Sequence, residues 1–107
     1  MAAGDVSVLM TGGRQFRGKR MVVGTVQLDG ANPTPVALAA YLSAIEGFQL
    51  TREGTAAPGT DPHQVTGAIS GTTLNVYAWK PTGTADTALV ASTNNAVVVH
   101  FIAWGKA

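Results

Sequence analysis

The sequence predicts a mainly β fold: a compact β-sandwich or barrel with one short α-helix and an extended N-terminal arm. Three observations carry this expectation. Runs rich in β-branched and aromatic residues alternate with clusters of Gly, Pro, Asn and Asp. Only one segment repeats its apolar residues at helical period. At 107 residues the chain makes one domain. It has no cysteine, so neither a disulfide nor a Cys-ligated metal staples it. Small domains bury a smaller share of their surface, and association with copies of itself is the simplest further source of stability.

The expected boundaries are an arm over residues 1–20 and a β-rich domain over 21–107. In the arm, Asp5 to Met10 has the composition of a short strand, and Thr11-Gly12-Gly13 breaks it. Two placements are open for that strand: on the edge of a partner's sheet, or as the first strand of this domain's own sheet. Arg14, Arg17, Lys19 and Arg20 leave residues 1–20 with a balance of +3 against −2 for the remainder. Phe16 stands alone among these cations. The cluster suits a solubilising strand flank or a contact arm on an acidic or polar protein surface. The whole chain carries only +1, which does not call for bulk nucleic-acid binding.

Residues 21–28 predict a strand whose Val22, Gly24, Val26 and Leu28 share one face. Gly24 marks a bulge or a close backbone approach. Asp29 to Pro33 is a turn. Residues 35–46 predict the helix: Thr34 as N-cap, Pro35 in the first turn, and Leu38, Tyr41, Leu42 and Ile45 at i, i+3, i+4 and i+7. Gly47 then ends it, with Phe48 packing back on Leu42. Short strands follow at 48–52 and 65–69, separated by a Gly- and Pro-rich loop at 53–64 whose length marks it for binding. Residues 72–80 form a strong strand after the Ser70-Gly71 turn, and 87–91 a short one. Asn94-Asn95 turns the chain into a last strand at 96–104. Both faces of this strand are apolar, Val97, Val99 and Phe101 on one and Val98, Ile102 and Trp104 on the other. Such a strand lies inside a sandwich or between subunits.

The chemistry is sparse. The only histidines are His63 and His100, and the six acids are scattered singly. His63 has no second His at ligand spacing. His100, within an apolar strand, is expected in the core or an interface. Hydroxyls are abundant, but nothing singles out one activated by a base and an orienting acid. The expectation is no enzyme, no catalytic residue, no metal and no cofactor. No apolar run is long enough to span a membrane. Tyr77 and Trp79 share a strand face with Asn75. That pair suits interface packing, or stacking of sugars or bases.

Several segments together carry a family resemblance. They are the opening strand KRMVVGTV at 19–26, Asp29 and Pro33, Ala37-Leu38, the strand LNVYAW at 74–79, and the closing run from Val97 through Trp104 to Gly105. In this order they resemble small virion proteins of tailed bacteriophages, most of all a capsid decoration, or cement, protein. The resemblance covers roughly residues 19–50 and 72–105. It implies a β-rich structural protein without enzymatic activity, made in the host cytoplasm. It further implies assembly as a trimer on the outside of the capsid, with the major capsid protein as partner. Fibre, tail and connector components are the neighbouring alternatives, and a carbohydrate- or nucleic-acid-binding module is one of a different class. On this reading Arg14, Phe16, Arg17, Lys19 and Arg20 contact the capsid, and Tyr77, Trp79, Phe101 and Trp104 are candidates for the subunit interface. The longer arm before Lys19 and the loop at 53–64 depart from the family's pattern.

Overall fold

Two antiparallel four-strand sheets pack together as a β-sandwich in the computed structural model, which describes residues 2–12, 19–54, 64–81 and 89–107. Sheet A has the order β1-β2-β8-β4, formed by β1 (Val6–Gly12), β2 (Lys19–Gln27), β8 (Val98–Lys106) and β4 (Ala44–Arg52). Sheet B has β6 (Thr73–Pro81) between β5 (Gln64–Ser70) on one side and β3 (Thr34–Ala37) and β7 (Leu89–Ala91) on the other. The two sheets do not close into a barrel.

The core is made by the alternation the sequence displays. Val22 and Val26 of β2, with Val99, Phe101 and Ala103 of β8, are buried from sheet A. Val36, Leu74, Val76 and Ala78 meet them from sheet B. Gly24 lies on this inner face, where a Cβ would collide with the Ser7 carbonyl and press on the Phe101 ring at 2.8 Å. The β1 strand bulges opposite it, between Val8 and Met10. Phe101 is 1% exposed because the Gly24 backbone gives its ring room.

The helix expected over residues 35–46 is replaced by a strand, a turn and a second strand. Thr34–Ala37 pairs with β6, so Pro35 lies in an edge strand, where its missing N–H leaves no ladder bond unmade. Thr34 is not an N-cap. It is buried, its hydroxyl donates to Asp29 Oδ1 at 2.9 Å and accepts from the Asp29 N–H at 3.2 Å. Leu38 O accepts from the N–H groups of both Tyr41 and Leu42 at 2.9 Å. That is one helical turn and no more. It suffices to bring Leu38 and Leu42 to the same side, and β4 supplies Ile45. Phe48 and Leu50 of β4 point inward over Gly67 of β5 and pack against the buried core, so Gly47 and Phe48 continue a strand and do not terminate a helix.

The connections obey their local chemistry. β5 and β6 join through Gly71-Thr72, with Gly71 at φ 61° as a two-residue hairpin requires. Asn32 Oδ1 accepts from the Ala78 N–H at 2.8 Å, filling the gap that β3 and β7 leave along that edge of β6. Asn94 Oδ1 accepts from the N–H groups of Ala96 at 2.9 Å and Val97 at 3.0 Å, which turns the chain into β8.

The N-terminal segment takes the intramolecular of its two placements. Val6–Gly12 runs antiparallel to β2 and is an edge strand of the domain's own sheet.

Candidate functional site

With one face of each sheet in the core, any site on the strands must be built from the outward residues. On sheet A the strand register defines them row by row. Gly12, Met21, Trp104 and Gly47 stand side by side across the four strands. The next row is Met10, Val23, Ile102 and Gln49, and the next Ser7, Thr25, His100 and Thr51. A solvated antiparallel face normally carries polar residues here. Instead, apart from Gln49, the side chains of two consecutive rows are apolar, with Met10 63% and Trp104 38% exposed and Met21, Val23 and Ile102 half-buried. Gly47 contributes to this by having no side chain, because the Trp104 indole occupies the space its Cβ would take.

An ion pair and a histidine–carboxylate contact bracket these rows. Lys19 Nζ lies 2.6 Å from Glu46 Oε1 at one end. His100 Nε2 lies 2.5 Å from Glu53 Oε2 toward the other. His100 is therefore an exposed outer-face residue, not a core histidine. Its parity along β8 is opposite to that of Val99 and Phe101, which point inward.

Sheet B presents a different outer face. Tyr77 and Trp79 both point outward, their rings parallel within 6° and their centroids 5.9 Å apart. Trp79 Nε1 donates to Thr66 Oγ1 at 2.7 Å, which fixes the indole against the neighbouring strand. Gln64, Thr66 and Asn75 surround the pair with neutral hydrogen-bonding groups. The two rings are already each other's stacking partners, so a flat ligand would meet their edges or outer faces.

The expected site residues thus separate. Tyr77 and Trp79 lie on the outer face of sheet B and Trp104 on that of sheet A. Phe101 leaves the set of interface candidates: its ring is spent in the core between the sheets. Lys19 is engaged with Glu46, and Arg20 Nη1 donates to the Tyr41 carbonyl at 3.0 Å. Arg14, Phe16 and Arg17, His63, and most of the loop expected at 53–64 lie outside the described residues. Among the described residues no three His, Cys, Asp or Glu side chains group as a metal site. Sequence reasoning missed Met10, Met21, Val23 and Gly47. Their apolar or small character is plain in the sequence, but only the register of β1 against β2, and of β2 and β4 against β8, joins them to Trp104.

Compared with known protein families, with characterised proteins and with solved structures, the chain matches none.

Proposed function

We propose that this chain is a structural virion protein of a tailed bacteriophage, a decoration protein that binds the outside of the capsid and reinforces the shell. The observation that carries the proposal is the outer face of sheet A, where Met10 and Trp104 are exposed beside the half-buried Met21, Val23 and Ile102. Surfaces of this kind mark contact with another macromolecule. The capsid as partner, and three as the number of copies, come from the family resemblance. Neutral and apolar contacts suit a protein that bridges shell subunits in many copies, because burying unpaired charge is costly. With Lys19 and Arg20 engaged inside the protomer, cationic contact with the shell rests on Arg14 and Arg17, with Phe16 between them.

The test is to heat particles assembled with and without the protein. The proposal expects shells carrying it to open at a higher temperature; equal stability removes the reinforcing role. Locating the protein in electron density of the particle separates a decoration protein from a fibre, tail or connector component.

The outward Tyr77–Trp79 pair favours a second reading, a carbohydrate- or nucleic-acid-binding module. Its neutral surroundings suit a sugar better than a phosphate backbone, which needs cations. Loss of glycan binding in Trp79→Ala would support it, and a glycan array without a bound member would dismiss it.

A further inference from the structure

We infer that the outer face of sheet B binds a neutral oligosaccharide chain across Tyr77 and Trp79, with Thr66 as the residue that positions the indole. This rests on the second reading above, of that pair as a binding platform, and names the class of its ligand, the ligand's length and a further residue.

Charge decides the class. Directly opposite residues of an antiparallel pair share a face, so the register defines this surface. It takes Pro35 and Ala37 from β3, alternate residues of β6 from Thr73 to Pro81, alternate residues of β5 from Gln64 to Ser70, and Leu89 and Ala91 from β7. None of these is Asp, Glu, Lys, Arg or His. The one cation of β6, Lys80, has the opposite parity and pairs with Val90. The outer face of sheet A, by contrast, carries Lys19, Lys106 and His100. A nucleic-acid backbone needs cations, and so does an acidic peptide; the described residues of this face supply none.

What the face offers is two aromatic rings flanked by the neutral groups of Gln64, Thr66 and Asn75. A pyranose has the complementary make-up: C–H groups on its faces, hydroxyls around its edge and no charge. Its hydroxyls give the amides of Gln64 and Asn75 hydrogen-bond partners when water is displaced. An apolar protein patch would leave them unpaired, which is costly.

The ring geometry sets the length. Tyr77 and Trp79 are parallel within 6° with centroids 5.9 Å apart. Each turns one face to the other, so a ligand meets the two opposite faces and the ring edges. One sugar covers one of those faces. A chain of several sugars reaches both, together with the amides beside them.

Thr66 fixes this arrangement. It stands opposite Tyr77 in the ladder, yet its Oγ1 accepts from Trp79 Nε1 at 2.7 Å. The bond therefore runs diagonally and holds the indole alongside the Tyr77 ring. It also uses the only polar group of the indole, so Trp79 meets a ligand by its ring alone. A ring held in place beforehand loses less freedom on binding.

The experiment uses the full chain. Native gels containing hydroxyethylcellulose, yeast mannan, dextran or arabinogalactan are run beside gels containing heparin or polyuridylic acid. Retardation by at least one neutral polymer and by neither anionic one is expected. In an NMR titration, a hexasaccharide of the retarding polymer should bind at least about tenfold more tightly than its methyl monosaccharide. Tyr77→Ala and Trp79→Ala should each weaken the hexasaccharide by about tenfold, with an unchanged β-type circular-dichroism spectrum. Thr66→Val should weaken it less, and Thr66→Ser should restore it. No retardation by any of the six polymers overturns the inference and the second reading together. Retardation by an anionic polymer alone, or a monosaccharide that binds as tightly as the hexasaccharide, overturns the inference and leaves the pair standing as a binding platform. An affinity unmoved by Thr66→Val, with only the unfolding midpoint lowered, overturns the positioning role.

Discussion

The Trp104 indole lies flat in the space that a side chain on Gly47 would fill. The contact joins β8 to β4 on the outside of sheet A and holds the ring against the sheet. It also makes the two positions interdependent. Gly47→Ala should push the indole off the sheet. Because the ring is at the surface and free to turn, the cost should be at the low end of overpacking, about 1 kcal/mol. The measurement is Trp104 emission and the unfolding midpoint in a Trp79→Phe background. A shifted spectrum with a small loss of stability is expected, and an unmoved spectrum would contradict the packing.

Gly105, on the inner side of the same strand pair, should behave differently. A Cβ there would run into the Ala44 backbone carbonyl, where β4 bulges between Ile45 and Gly47. No side chain can turn aside to make room, so the strands themselves must part. Gly105→Ala should cost about 3 kcal/mol, the upper end of the overpacking range, and clearly more than Gly47→Ala. Chemical denaturation of the two variants side by side gives the comparison; equal losses would argue against the close approach of β4 and β8.

How far the fold was legible in the sequence is clear from where period and register each act. The strands at 21–28, 72–80 and 96–104 showed themselves through β-branched alternation, and the structure has them within two residues. Leu38, Tyr41, Leu42 and Ile45 gave a helical stripe, and the burial it foretold is real: Leu38, Leu42 and Ile45 are all buried. The helix is not, because a single turn between two strands produces the same spacing. Period reports which side chains are inside, and over eight residues it does not distinguish one turn from two. The double apolar character of β8 likewise left open which of its faces enters the core and which points outward. Phe101 and Trp104 differ in parity by one position, and only the sheet opposite decides which of them is covered. The Trp104 surface depends on register between strands far apart in sequence, which local pattern does not encode.

Thr34 supplies a test of the polar part of the core. Its hydroxyl is buried and links to both the backbone and the carboxylate of Asp29. Thr34→Val keeps the shape and removes both hydrogen bonds. Asp29 is only partly buried, so water takes over some of the lost pairing, and the expected loss is about 1 kcal/mol. Thr34→Ser keeps both bonds and should lose a comparable amount for the missing methyl. If Thr34→Val is as stable as the parent in chemical denaturation, the turn at Asp29 does not depend on this side chain.

Asn32 does for β6 what a ladder partner would do. Its side-chain oxygen accepts from the Ala78 N–H at 2.8 Å, and Ala78 O accepts from the Ser92 N–H at 2.8 Å on the same edge. Asn32→Ala should leave the Ala78 amide without its acceptor, at a cost of about 1–3 kcal/mol if water does not reach it. Hydrogen exchange read residue by residue is the sharper measurement. The Ala78 amide should exchange faster in the variant while the Val76 amide, opposite Thr34, stays protected; equal acceleration of both would mean that the whole edge had loosened.

The last prediction concerns β1. It pairs with β2 from Val6 opposite Val26 to Gly12 opposite Met21, yet most of its side chains are exposed, and only Val8 packs against the core cluster. Removing residues 1–12 therefore takes away one edge ladder and the burial of Val8. It leaves β2 paired with β8 along its full length, from Lys19 opposite Lys106 to Gln27 opposite Val98. Val22, Val26, Val99 and Phe101 keep their partners in sheet B. The truncated chain should fold with the same β-type circular-dichroism spectrum. It should lose about 2–4 kcal/mol, from a handful of ladder bonds at roughly 0.5–1.5 kcal/mol each together with Val8. The amides of β2 that faced β1 should exchange rapidly, and the new edge should make the protein more prone to associate at high concentration. An unchanged unfolding midpoint would mean that β1 does not hold its place in solution. A chain that no longer folds would mean that the strand contributes to the core far beyond what its exposed side chains account for.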